Sequence, residues 1–135
     1  MPLISQHKEV QLHLSHMYDS LQDSVEKMKQ ELQTRRTQYE QACHKHIESG
    51  FQFENLWLNA DRNYQRKFRE FETHCVLLDI LGDYRDEEGN FIHISEITLT
   101  LESLLRSFEQ QEAYEVCAII KKWQEHMLSK YYTTI

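Results

Sequence analysis

From Ser5 to Glu48 the chain contains neither glycine nor proline, and its apolar side chains recur there every three or four residues. Val10, Leu14, Met17, Leu21, Val25, Met28, Leu32, Tyr39, Ala42/Cys43 and Ile47 fall along one side of a helix, with the charges of DSVEKMKQE-type segments on the other. Only Arg35 or Arg36 bridges the gap before Tyr39. The spacing predicts one amphipathic helix over residues 5–48, about 65 Å long at about 1.5 Å per residue. The alternative is a bend near Gln33 to Thr37 that folds the segment back on itself.

Ser49-Gly50 reads as the end of that helix, with glycine as cap or as the start of a new one. A second helical pattern follows over 51–81, with Phe51, Phe53, Leu56, Trp57, Ala60, Tyr64, Phe68, Phe71, Cys75, Leu78 and Leu81 as its stripe. It is expected to run antiparallel to the first. The acidic segment 82–94 contains Glu88-Gly89-Asn90, turn chemistry followed by short alternation, and reads as a loop or very short hairpin. Ser95 reads as the N-cap of a third helix, Glu96 to Gln110, with Glu96 in its first turn. Gln110-Gln111-Glu112 marks a tight turn, and a fourth helix carries Tyr114, Val116/Cys117, Ile119/Ile120, Trp123 and Met127. With three glycines and one proline in 135 residues, little else can interrupt helix. The fold class expected is all-α: a single domain in which a long antiparallel helical pair, coiled-coil-like, precedes a short C-terminal helical hairpin over 95–131.

Several chemistries lack their residues. A net charge of −7 repels a phosphate backbone, so direct nucleic-acid binding is not expected. Cys43, Cys75 and Cys117 form no CxxC pair and read as small core residues in a reducing compartment. Each lies within an apolar helical pattern rather than at a helix start or glycine turn that would favour a thiolate. Eight histidines raise the question of metal, and His13/His16, Glu40/His44 and Glu70/His74 are spaced to share helix faces. Yet the chain has no Glu-x-x-His of the di-iron bundles and no His-Glu-x-x-His. If Gly89 held the sixth place of a calcium loop, Tyr84 and Ser95 would hold the first and twelfth, where carboxylates are needed. No cofactor is expected and the protein reads as a non-enzyme. The start MPLISQHKEVQLHL lacks the pattern of a signal peptide, and no run of 18 apolar residues occurs, so a cytoplasmic protein without membrane contact is expected.

The segment 101–127, LESLLRSFEQQEAYEVCAIIKKWQEHM, resembles the UVR motif, a short helical hairpin of bacterial excision-repair subunits and some protease adaptors. Leu101, Leu104 and Leu105 on the first arm, and Tyr114-Glu115, Cys117-Ala118 and Ile120 on the second, carry the resemblance. Small Cys117 and Ala118 would let the helices approach closely, with Tyr114 over the turn and Ile120 facing the leucines. Phe108, Glu109, Ala113 and Lys121-Lys122 depart from the family pattern. The resemblance implies hairpin geometry and docking onto another protein.

Two helices of about 15 residues span only about 23 Å, and a second helix of about 30 residues is shorter than the first. A stripe that its own chain leaves uncovered marks an association surface. The expected function is therefore protein–protein interaction, as an adaptor, regulator or assembly subunit, with a homodimer and a further protein as partners. The candidate contact residues are Leu14, Met17, Leu21, Val25, Met28, Leu32, Tyr114, Ile120 and Trp123. Trp57 and Trp123 suit either an interface or a core, and Tyr131-Tyr132 suits a docking tail or a frayed end. The other readings are a metal-binding helical bundle, or an accessory factor of a nucleic-acid-processing complex.

Overall fold

The computed structural model describes the backbone of residues 2–133 and the side chains of residues 8–127. Four helices account for the fold: α1 (Pro2–Glu48), α2 (Glu54–Asp83), α3 (Ile94–Gln110) and α4 (Tyr114–Thr133). The protein is all-α, a long helical pair followed by two shorter helices.

Helix α1 runs unbroken through Gln33–Thr37. The hydroxyls of Thr34 and Thr37 donate back to the carbonyls of Gln30 and Gln33 (3.3 and 3.1 Å), so neither competes with the helix. The helix ends in a Schellman cap: Phe51 N–H donates to His46 O (2.8 Å) and Gly50 N–H to Ile47 O (3.2 Å). Gly50 takes φ +74°, the left-handed conformation glycine adopts without a Cβ penalty. Phe51 also has positive φ, +69°.

That turn sends α2 back along α1. Tyr18 lies beside Gly82, Glu31 pairs with Lys67, Tyr39 stacks on Tyr64 and His46 stacks on Trp57, a register that holds from one end of α2 to the other. The heptad positions of α2 that face α1 are Trp57, Ala60, Tyr64, Lys67, Phe71, His74, Leu78 and Leu81, each half-buried or buried. Phe51, Phe53, Leu56 and Phe68, assigned to the stripe from sequence, are instead exposed. Phe51 and Phe53 precede the helix, and Phe68 sits one position past the seam, at Lys67.

Helices α3 and α4 form an antiparallel hairpin closed by Gln111–Ala113, with Ala113 N–H on Phe108 O (3.0 Å). The hairpin packs against only one end of the long pair. Leu14, Met17, Leu21, Leu77, Leu81, Phe91, Ile97, Leu101, Val116, Ile120 and Met127 form one core there. The hairpin reaches along α2 as far as Arg69, which lines a groove with Leu104, Phe108 and Val116, and beyond it α1 and α2 continue as a two-helix arm of about 23 Å.

The acidic connection between α2 and α3 is a tight turn with a single bridge, Arg85 to Phe91, rather than a strand pair. Asp86 Oδ1 accepts N–H bonds from Glu88 and Asn90 (3.0 and 2.8 Å), so that carboxylate is used inside the turn. The Gln11 amide reaches across and bonds both the N–H and the C=O of Phe91, each at 2.6 Å. Ser95 is not the N-cap of α3: the cap position is His93, at φ +52°, and it makes no side-chain cap bond. Its backbone carbonyl instead accepts from Glu96 N–H at 2.9 Å.

Two consequences are measurable. Leu21→Ala empties a fully buried site in the bundle and should cost about 3 kcal/mol in denaturant unfolding, whereas Leu32→Ala, half-buried on the arm, should cost less than half as much. Lys67, largely buried between the helices, holds the Glu31 carboxyl below its ordinary range through a hydrogen bond and charge attraction. A depressed folded-state pKa contributes stability above the unfolded value and loses it as pH falls through the folded one. A double-mutant cycle of Glu31→Gln with Lys67→Met should therefore show coupling at about pH 7 that vanishes by about pH 2.

Candidate functional site: the tip of the two-helix arm

The residues expected to contact a partner fall into three environments. Leu14, Met17, Leu21 and Ile120 are buried in the chain's own core and present no surface to another molecule. α2 lines α1 from Tyr18 to the cap, and Phe91 with the α3/α4 hairpin closes the wall around Leu14 and Met17. Val25, Met28 and Leu32 are half-buried on α1 between Tyr18 and Tyr39. Tyr114 stands at the start of α4, directly after the turn, and is 68% exposed.

Trp123 has a defined internal role. Its Nε1–H donates to His74 Nε2 (3.1 Å), and because an indole can only donate, His74 carries its proton on Nδ1 and gives it to Glu70 O (2.8 Å). The buried imidazole is thereby fixed as one neutral tautomer joining α2 to α4. In the hairpin, Cys117 is buried with its Sγ 3.8 Å from Leu105 O, a close approach permitted by a small residue. Ala118, by contrast, faces outward. The Tyr131 and Tyr132 side chains lie outside the described residues.

One cluster of exposed apolar side chains stands at the far end of the arm. Ile47 is 57% exposed, Phe51 70%, Phe53 37% and Leu56 47%. All four lie within six residues of the cap at Gly50. The turn presenting them is held firmly from α1. His46 Nδ1 accepts the N–H of Phe53 (3.1 Å), serving as the cap that α2 lacks from its own side chains. Ser49 Oγ accepts from Gln52 N–H (3.2 Å) and donates to His46 O (3.0 Å). The His46 ring stacks on Trp57 (centroids 5.5 Å apart, 8° between planes) and meets Phe51 edge-on at 5.4 Å. Lys45 Nζ sits 4.5 Å from the centre of the Phe53 ring. The Trp57 indole N–H is buried and has no hydrogen-bond partner, an arrangement that costs about 1–3 kcal/mol.

Sequence periodicity missed this tip because it counted Phe51 and Phe53 as core stripe. The available signal was their place: large aromatics flanking a cap glycine cannot all face a helix seam.

Other chemistry is poorly served. Among the described residues no three His, Cys, Asp or Glu side chains are grouped to hold a metal ion. Burial pushes the Cys75 thiol up, with Asp79 and Glu72 adding to the shift, which disfavours the nucleophilic thiolate. No described helix is long and apolar enough to cross a membrane. Comparison with protein-family models, with curated proteins and with solved structures finds no match for the chain.

The two tryptophans should respond differently to loss of the indole N–H. Trp57→Phe removes an unsatisfied donor and should change stability by less than about 1 kcal/mol, while Trp123→Phe strips His74 of its partner and should cost about 2 kcal/mol, read by urea unfolding.

Proposed function

We propose that the protein is a non-enzymatic interaction module that grips another protein through the apolar tip of its arm. The observation that supports this is the exposed cluster of Ile47, Phe51, Phe53 and Leu56, held on a turn that α1 caps with His46 and Ser49. Taking roughly 200 Å² for a fully exposed phenylalanine, the four side chains offer on the order of 400 Å² of apolar surface. That matches the largest patch on ordinary monomers, which is often functional.

The physical logic is one of preorganisation. Aromatic anchors dominate interface energies when they enter a pocket and lose water. Phe51, at positive φ, sits between its own N–H bond to His46 O and the N–H bonds of Gln52 and Phe53 to Ser49 and His46, so its presentation is set before a partner arrives. The arm places these anchors about 20 Å beyond the bundle.

Affinity capture from a cell extract with the tagged chain and with Phe51→Ser/Phe53→Ser tests this reading. Both substitutions lie on exposed side chains, so helical content should be unchanged. A defined protein retained by the wild type and lost from the variant is the expected outcome. Identical retention by both overturns the tip as the gripping surface.

A further inference from the structure

The α3/α4 hairpin does not close flush against α2. A groove of about 370 Å³ is left where they meet, lined by Phe71, Cys75 and Val76 of α2 and by Leu104, Phe108 and Val116 of the hairpin. Val76 is exposed, and Cys75, Leu104 and Phe108 are only half-buried. Two carboxylates stand on the α2 side of the same groove. Glu72 and Asp79 are both exposed and lie two helical turns apart, about 10.5 Å, so they share one stripe. Among the described residues neither has a hydrogen-bond or ion-pair partner. Burial, and then Asp79 and Glu72, push the Cys75 thiol up, so the field of both carboxylates reaches the groove.

We infer that this groove docks a basic amphipathic helix of a partner protein, its apolar face on Val76, Leu104 and Phe108 and two cationic side chains seven residues apart on Glu72 and Asp79. The groove is a second surface, separate from the tip of the arm.

Charge selects the occupant. From Phe71 to Leu81 and from Ser107 to Ile120, the stretches that border the groove, the chain carries five carboxylates and no lysine or arginine. Three of them, Glu109, Glu112 and Glu115, are exposed around the hairpin turn between Phe108 and Val116. Arg69, at the end nearer the tip, is the one cation among the described lining residues. A second copy of the chain, with net charge −7, would bring like charge to this border and be repelled. A cationic segment is drawn to it. Backbone chemistry selects the conformation. The walls are helices whose N–H and C=O groups are paired internally, so an extended segment would lose water there without finding main-chain partners. A helix satisfies its own groups and offers apolar anchors at i, i+3, i+4 and i+7. Exposed ion pairs add little affinity each, so the anchors hold the helix while the carboxylates choose and orient it.

The probe is a labelled alanine-based peptide of about 18 residues, with leucines at i, i+4, i+7 and i+11 and two lysines seven apart beside them, titrated into the full chain and followed by fluorescence anisotropy. Binding on the order of 10 µM is expected. Val76→Lys, a change at an exposed position, should abolish it with helicity unchanged. Glu72→Lys/Asp79→Lys should weaken it at least about tenfold and should gain affinity for the peptide whose two lysines are glutamates. Asp23→Lys/Glu26→Lys makes the same change of net charge at exposed positions of α1 and should leave binding unaltered. Bound peptide should slow alkylation of Cys75 severalfold and leave Cys43, on the arm, reacting as before. No binding by about 1 mM peptide, equal weakening by the α1 pair, or a Cys75 that stays unprotected overturns the groove as the docking surface. Phe51→Ser/Phe53→Ser should bind the peptide as the wild type does; loss of binding there moves the contact to the tip and overturns the groove as well. Capture of a partner through the tip is read without this peptide, so failure of one surface is distinguished from failure of the other.

Discussion

The structure depends on the antiparallel contact between α1 and α2, established by the cap at Gly50. Once the chain reverses there, α2 meets α1 along its length, from Trp57 against His46 to Gly82 against Tyr18. The length difference between the two helices then decides the rest. At the closed end the pair is a bare arm; at the other, α3 and α4 find the apolar walls of α1 and α2 and bury them.

The seam of the arm is unusual in what it buries. Ala42 and His46 are its most buried residues on α1, and Lys67 with Glu31 takes a layer that a hydrophobic pair would fill in a strong coiled coil. Such a seam contributes less apolar burial per turn than the Leu14–Leu21 segment, and polar groups with a single satisfying geometry fix its register instead. His46 and His74 mark the two ends of this arrangement. One accepts the N–H that begins α2, and the other ties α2 to Trp123 on α4. Each is useful only as a neutral imidazole with one defined tautomer.

The elements were legible in the sequence because their signals are local. Missing glycine and proline gave the unbroken α1, the Ser49-Gly50 pair gave its end, and the Gln111–Glu112 region gave the turn of the hairpin. Errors arose wherever the decision was tertiary. Ser95 has the side chain of an N-cap, yet the chain enters α3 through His93 in the left-handed region, and Ser95 falls inside the helix. Ala118 is small, as a close contact wants, but the rotation of α4 places Cys117 and Ile120 inward and Ala118 in solvent. Leu14 and Leu32 look alike along the α1 stripe, and only their distance from the α3/α4 hairpin separates a sealed core residue from a half-covered one.

By itself, then, the sequence determined an all-helical chain with a long first helix, its reversal at Gly50 and a short terminal hairpin, because helix formation and capping depend on neighbours within a few residues. Tertiary structure alone decided where the hairpin docks and therefore which part of the long stripe stays open. Burial is a property of two surfaces meeting, and no stretch of one helix encodes how far its partner reaches. That is why Ile47, Phe51, Phe53 and Leu56 stay open at the tip, while Leu14, Met17 and Leu21, the most regular part of the stripe, are enclosed by their own chain.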